Sequence, residues 1–406
     1  MKRRDFLIQG GLFSATTIAT IGNHGWVARA ANPHPQRLIV ILLRGAVDGL
    51  NVVVPYREAA YYQARPQIAI PQPGQDNGAW DLDGQFGLHP SLSGLMPLWQ
   101  NKTLAFVHAC GSHDPTRSHF DAQQFLENGT PGNKRTQDGW MNRLLSAIAN
   151  HSPIQAVSVG ATIPWILSGR MPVANLASGV NASKPLAIDK PQIANRFDQL
   201  YSGNDSLSQT YREGKIARQT LMKNLADEMQ AANNGAPLPY VFVGDAKRLA
   251  QLMVKDASIQ LGFMALGGWD THVNQGSTQG RLAGNLKQLG DGLAALVQGL
   301  GNLYQHTTIV VISEFGRTLR QNNNGGTDHG HGNVMWVLGG QTKGGKVYGE
   351  WPGLSTSQLY QQRDLAITTD FRDVIYLLLE RHLNLETAKI NRILPEYRLK
   401  QDIGLI

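Results

Sequence analysis

Six consecutive apolar residues, Leu38 to Leu43 in "RLIVILLRGAVDGLN", leave no face of the chain for water. A half-exposed strand alternates apolar and polar positions, so a run that is apolar on both sides belongs between two covering layers. The pattern returns at Leu104 to Ala109, in "SIQLGFMALGGWDTH", in "TTIVVISEFGRT" and in "VMWVLGG". Helical signals lie between these runs. Ser118 is placed to cap a helix running through Phe125. Leu282, Leu286, Leu289, Leu293, Leu296 and Leu300 alternate spacings of four and three, which gives a core-facing stripe. Apolar strands alternating with helices predict an α/β fold, a three-layer α/β/α sandwich with a largely parallel central sheet. From about 175 to 239 the chain turns polar and carries a long charged helix, read as a mostly helical insertion or cap.

The N-terminus reads differently. Arg3 and Arg4 precede a short, mildly apolar stretch and the small-x-small pattern Ala28-Arg29-Ala30, the order of a twin-arginine export signal over residues 1–30. The expected mature domain is 31–406, located in the periplasm or otherwise outside the cytoplasm, with the twin-arginine export machinery as a partner. The leader is too short and too polar to span a bilayer, so no stable membrane span is expected. The formal charge is +7, but the leader contributes three of it through Lys2, Arg3, Arg4 and Arg29 against Asp5. With no basic stripe, nucleic acid is not an expected partner. Cys110 is the only cysteine, which excludes an intramolecular disulfide. It follows a strand pattern and is expected to be a buried small hydrophobe.

In parallel sheets the ligand site lies off the C-terminal strand ends. Those ends here supply Asp48, then His113 and Ser118-His119, then Asp270 and His272, then Glu314, and finally Asp328, His329 and His331 in "GTDHGHGN". Each alone has a plainer reading: Asp48 as a turn residue, Ser118 as an N-cap, Glu314 as a partner of Arg317. Gathered at four strand ends, carboxylates and imidazoles suit a borderline or hard divalent ion such as zinc or manganese. Ser118 at a helix start also suits a nucleophile or a bound anion.

"LLRGAVDGLN", "SHFDAQ", "GGWDTH", "SEFGRT" and "GTDHGHG", behind a twin-arginine leader, resemble an exported bacterial family of unknown function, domain of unknown function 1501. That family is grouped with the alkaline-phosphatase-like superfamily of phosphatases, sulfatases and cofactor-independent phosphoglycerate mutases. The resemblance implies an α/β/α sandwich with two metal ions beside a Ser, Thr or formylglycine nucleophile. On this pattern Asp48 matches the Asp after the first strand, Ser118 the nucleophile, Asp270 a metal ligand and Glu314 the carboxylate of an Asp-His pair. His329 or His331 matches the late His. The superfamily's His four residues after Asp270 is absent, since 274 is Asn and His272 stands two residues on. A sulfatase signature would need its nucleophile at His113, which cannot become formylglycine.

These residues predict a metal-dependent hydrolase acting on a phosphate ester or related anionic ester, small or part of an envelope polymer. One or two divalent ions are expected among Asp48, Asp270, His272, Glu314, His329 and His331. Ser118 is the expected nucleophile, with Arg117 or Arg317 to neutralise charge and Arg44 as a weaker candidate. The competing class is a non-catalytic exported protein that keeps the fold to bind a polysaccharide or another partner.

Overall fold

The computed structural model describes residues 35–148, 152, 154–160, 162–179, 191–216 and 241–406. The export leader read at 1–30 lies outside them, as does much of the segment 175–239. Nine strands form the main sheet: β1 (Arg37–Leu43), β2 (Leu104–Gly111), β3 (Ala156–Val159), β4 (Ala174–Leu176), β5 (Leu261–Leu266), β6 (Thr307–Ser313), β7 (Asn333–Gly339), β8 (Lys346–Tyr348) and β9 (Thr369–Asp370). Their order is β8-β2-β7-β6-β1-β5-β3-β4, with β9 also pairing β2. Only β7 runs against its neighbours; every other pairing is parallel.

All seven residues of β1 are buried, and the side-chain alternation of a strand sends them to two different layers. Ile39, Ile41 and Leu43 join Val157, Ile309, Val311 and Trp336 in one core, closed by helices α3 (Val241–Lys255) and α4 (Arg281–Leu300). The leucine stripe read from the sequence, Leu282 to Leu300, is the buried face of α4. Leu38, Val40 and Leu42 join Ala105, Val107, Phe263 and Val310 in the other core. That side is closed by α1 (His119–Asn128), α2 (Trp140–Ala147), α5 (Phe371–Leu377) and α6 (Thr387–Ile393). Burying each large apolar side chain contributes about 1.5–3 kcal/mol, so a run apolar on both faces forms only with a layer on each side. The mixed, mostly parallel sheet with helices on both sides is the expected α/β sandwich.

Cys110 is buried near the end of β2, and burial pushes its thiol pKa up. Among the described residues no helix is long and apolar enough to cross a membrane. Between 175 and 239, Pro191–Leu200 and residues 206–216 are helical. Because β7 is antiparallel, its N-terminal end lies at the same sheet edge as the C-terminal ends of β1, β2, β5 and β6. The loops after those four strands and the loop before β7 therefore meet at one edge.

Candidate metal centre

At that edge each loop is fixed by a local device. After β1 the chain turns at Gly45, with φ +116°, and its N–H donates to Glu314 Oε1 at 2.8 Å. A Cβ at Gly45 would stand 2.7 Å from the Asp270 backbone nitrogen, so only glycine lets the β1 and β5 loops touch. After β2, a polar loop ends at Ser118, whose hydroxyl caps α1 by accepting from the Asp121 N–H. His119 is thereby the first residue of α1, its ring stacked on Phe315. After β5, Trp269 donates to the Leu266 carbonyl at 2.7 Å and so pins the turn that presents Asp270 and His272. His329 is placed by an antiparallel bridge to Arg317. A Cβ on the next residue, Gly330, would lie 2.4 Å from the Arg317 carbonyl carbon. That close approach accounts for a glycine in the middle of "GTDHGHGN".

Three imidazoles and one carboxylate converge here. His119 Nε2 and His272 Nε2 each lie 2.9 Å from His329 Nε2. Asp270 Oδ1 lies 3.6 Å from His119 Nε2, 3.1 Å from His272 Nε2 and 3.4 Å from His329 Nε2. These are five of the six distances among the four atoms. Tetrahedral ligands about 2.0–2.1 Å from a zinc ion would be separated by about 3.3 Å, and these five spacings lie to either side of that value. His119, Asp270 and His329 are a group able to hold a metal ion, and His272 Nε2 lies beside it, 3.1 Å from Asp270 Oδ1 and 2.9 Å from His329 Nε2.

The other nitrogen of every ring decides what the converging atoms can do. His119 Nδ1 meets Glu314 Oε1 at 2.8 Å, His272 Nδ1 meets Asp328 Oδ1 at 3.0 Å and His329 Nδ1 meets the Arg117 carbonyl at 2.9 Å. Each partner is an acceptor, so in the neutral rings each Nδ1 carries the proton and each Nε2 turns a lone pair inward. Lone pairs facing one another with a carboxylate oxygen repel unless a cation sits among them. Outer acceptors of this kind are the usual means of orienting metal-binding histidines.

The electrostatics follow the same geometry. The hydrogen bond to Glu314 raises the His119 pKa against the effect of burial. Burial lowers that of His329, and positive charge from His119 adds to the effect. For Asp270, burial pushes the pKa up but the Arg317 hydrogen bond and charge outweigh it, leaving the carboxyl below its ordinary value. Glu314 is likewise lowered, with burial overcome by hydrogen bonds from His119, Gln123 and Gly45. Arg317 is fully buried and spends its donors on Asp270 Oδ1, at 2.5 Å, and on the carbonyls of Gly45, Ala46, Thr327 and Trp269.

The other residues singled out from the sequence stand around this group. Asp48 is fully buried, its carboxylate gripped by Arg65 at 2.6 and 3.0 Å and by Gln275 at 2.6 Å. His331 is stacked on Tyr360 with centroids 4.0 Å apart, and burial lowers its pKa to about 4. Glu314 meets the group through His119. The Arg117 guanidinium is held by Asp364 and Gln361. Arg44 pairs with Glu127 and donates to Gln123. Ser118 is exposed, next to His119 in sequence.

The sequence alone assigns His119 no role of its own, yet it carries a signal. His119, Gln123 and Glu127 recur every four residues, a polar stripe on α1. Glu314 receives the first two and Arg44 meets the second and third. A polar stripe on a helix covering a sheet marks the part of that helix lying over strand ends rather than over the core.

No curated protein sequence matches the chain. Among solved structures it is similar to Ps i-CgsB in complex with k-i-k-neocarrahexaose, at 12% identity over 88% of this chain and 74% of that one, TM-score 0.41. It is also similar to the lipoteichoic acid synthase LtaP from Listeria monocytogenes, at 10% identity over 87% and 73%, TM-score 0.38. A third similarity is to a protein in the alkaline phosphatase superfamily from Vibrio parahaemolyticus, at 10% identity over 75% and 60%, TM-score 0.32. A family match covers residues 35–394, almost all of the described chain, and by it the chain belongs to the family described as "Protein of unknown function (DUF1501)".

Proposed function

We propose that this protein is an exported, metal-dependent hydrolase of a phosphate ester or a related anionic ester. His119, Asp270, His272 and His329 would hold one divalent ion. The observation that carries the reading is the inward convergence of three Nε2 lone pairs and one carboxylate oxygen, each ring fixed from behind by its own acceptor. Three nitrogens and one oxygen suit zinc, with manganese as the next fit. One ion rather than two is supported by Asp48, which is spent on Arg65, and by His331, which is stacked on Tyr360.

When bound, the ion would supply a Lewis acid for the ester oxygen and lower the pKa of a neighbouring hydroxyl or water. The chain's own residues set up the rest. Arg317 keeps Asp270 ionised and aimed, and Glu314, accepting from Nδ1, aims the His119 ring with its Nε2 lone pair inward. Ser118 offers a hydroxyl at the N-terminus of a ten-residue helix, where exposed N–H groups favour an anion. Its oxygen is engaged only weakly, 3.4 Å from the Asp121 nitrogen. Arg117 supplies positive charge beside it. Export through the leader at residues 1–30 belongs to the same reading and places the reaction outside the cytoplasm.

Protein stripped by chelator and reloaded with zinc or manganese should regain hydrolysis of p-nitrophenyl phosphate or bis(p-nitrophenyl) phosphate. Ser118→Ala should lower kcat at least about 100-fold with metal content unchanged. Stoichiometric metal with no turnover of phosphate or sulfate esters would make the protein a binder instead.

A further inference from the structure

Beside the metal centre lies a cleft of about 460 Å³ that shares Asp328 with it. Asp328 orients His272, and Arg363, also in the wall, donates to the His329 carbonyl at 2.5 Å. The cleft therefore begins where the three imidazoles end. Its volume falls in the range of small-molecule sites.

The chemistry of the wall is specific. Arg320, Gln63 and Gln362 line it, are exposed, and make no side-chain hydrogen bond among the described residues. Two free amides offer paired donors and acceptors, which match hydroxyl groups. Positive charge exceeds negative. The charged wall residues are Arg320 and Arg363 against Asp328; Arg363 also pairs with the buried Asp364 behind the wall, and Arg320 makes no ion pair among the described residues. Among the described residues no aromatic ring lines the cleft, so none of them selects a flat base or aryl group.

The backbone supplies a second, independent observation. Gln361 and Gln362 both have left-handed φ, +51° and +55°, in a turn closed by Arg363 N–H to the Tyr360 carbonyl at 3.1 Å. Such turns ordinarily use Asn and Gly. Two glutamines there are strained, and strain of this kind is retained where the side chains are used. Gln361 holds Arg117, and Gln362 faces the cleft.

We propose that this cleft is a subsite for an anionic, polyhydroxylated group, the sugar portion of an acidic saccharide ester whose reacting bond lies at the metal centre. The assignment rests on the hydrolase reading for its catalytic meaning, but binding in the cleft does not need metal and is measured without it. Calorimetry on chelator-treated protein would use glucose 6-phosphate, trigalacturonate and a sulfated disaccharide against glucose and maltotriose. At least one anionic member should bind about tenfold or more tightly than the uncharged sugars, and Arg320→Gln should abolish that preference. Gln362→Gly should relieve the turn and keep or raise thermal stability while weakening binding, a combination that a purely structural glutamine would not give. The proposal is overturned if no anionic saccharide is preferred, or if both variants bind like the parent. Saccharide binding without ester hydrolysis in metal-loaded protein would remove the hydrolase and leave the subsite.

Discussion

Alanine at His329 is expected to lower divalent-metal affinity by more than about 100-fold, since loss of an outer partner alone costs 10–100-fold. His329 offers its Nε2 to the centre from 2.9 Å of two other rings and 3.4 Å of Asp270. Its ring is part-exposed, with a side-chain accessibility of 25%, and folding stability in chelator should change little. His331→Ala should do the reverse: metal content stays, and stability falls by about 1–3 kcal/mol as a buried stacked ring is lost. Metal counted by mass spectrometry after dialysis, with thermal unfolding in chelator, separates the two. Full metal in His329→Ala, or metal lost from His331→Ala, would reverse the roles of the two histidines.

Asp48→Ala should cost about 3–5 kcal/mol of folding stability, the size expected when one partner of a buried pair is removed. Arg65 and Asp48 are both 0% exposed, and the guanidinium would be left charged and unpaired in the core. Asn51 and the Leu319 and Thr318 carbonyls would still bind Arg65, but none is an anion. Urea unfolding in chelator measures the loss. A small change in stability with metal affinity sharply reduced would instead make Asp48 a metal ligand.

These two substitutions also mark how far the sequence could be read. Strand runs such as Leu38 to Leu43 were legible because burial on both faces leaves an unbroken apolar string. The meeting of four strand-end loops followed from parallel topology. Which side chains turn inward did not. Asp48 and Asp270 look alike in sequence, each just beyond an apolar strand, yet Asp48 meets Arg65 from an irregular segment 17 residues on. No spacing rule announces that pairing. His329 and His331 differ by two positions, and the partners that tell them apart, the Arg117 carbonyl for one and the Tyr360 ring for the other, come from distant segments. Glu314 also stands just beyond an apolar strand, and the start of α1 sets the His119 ring against its carboxylate.

The most direct test is X-ray absorption at the zinc edge, joined to anomalous diffraction, on protein loaded with zinc. A single ion is expected, with three imidazole nitrogens and one carboxylate oxygen at about 2.0–2.2 Å, bound by His119, His272, His329 and Asp270. A pair of ions about 3.5–4 Å apart, or an ion held away from these four residues, would contradict it.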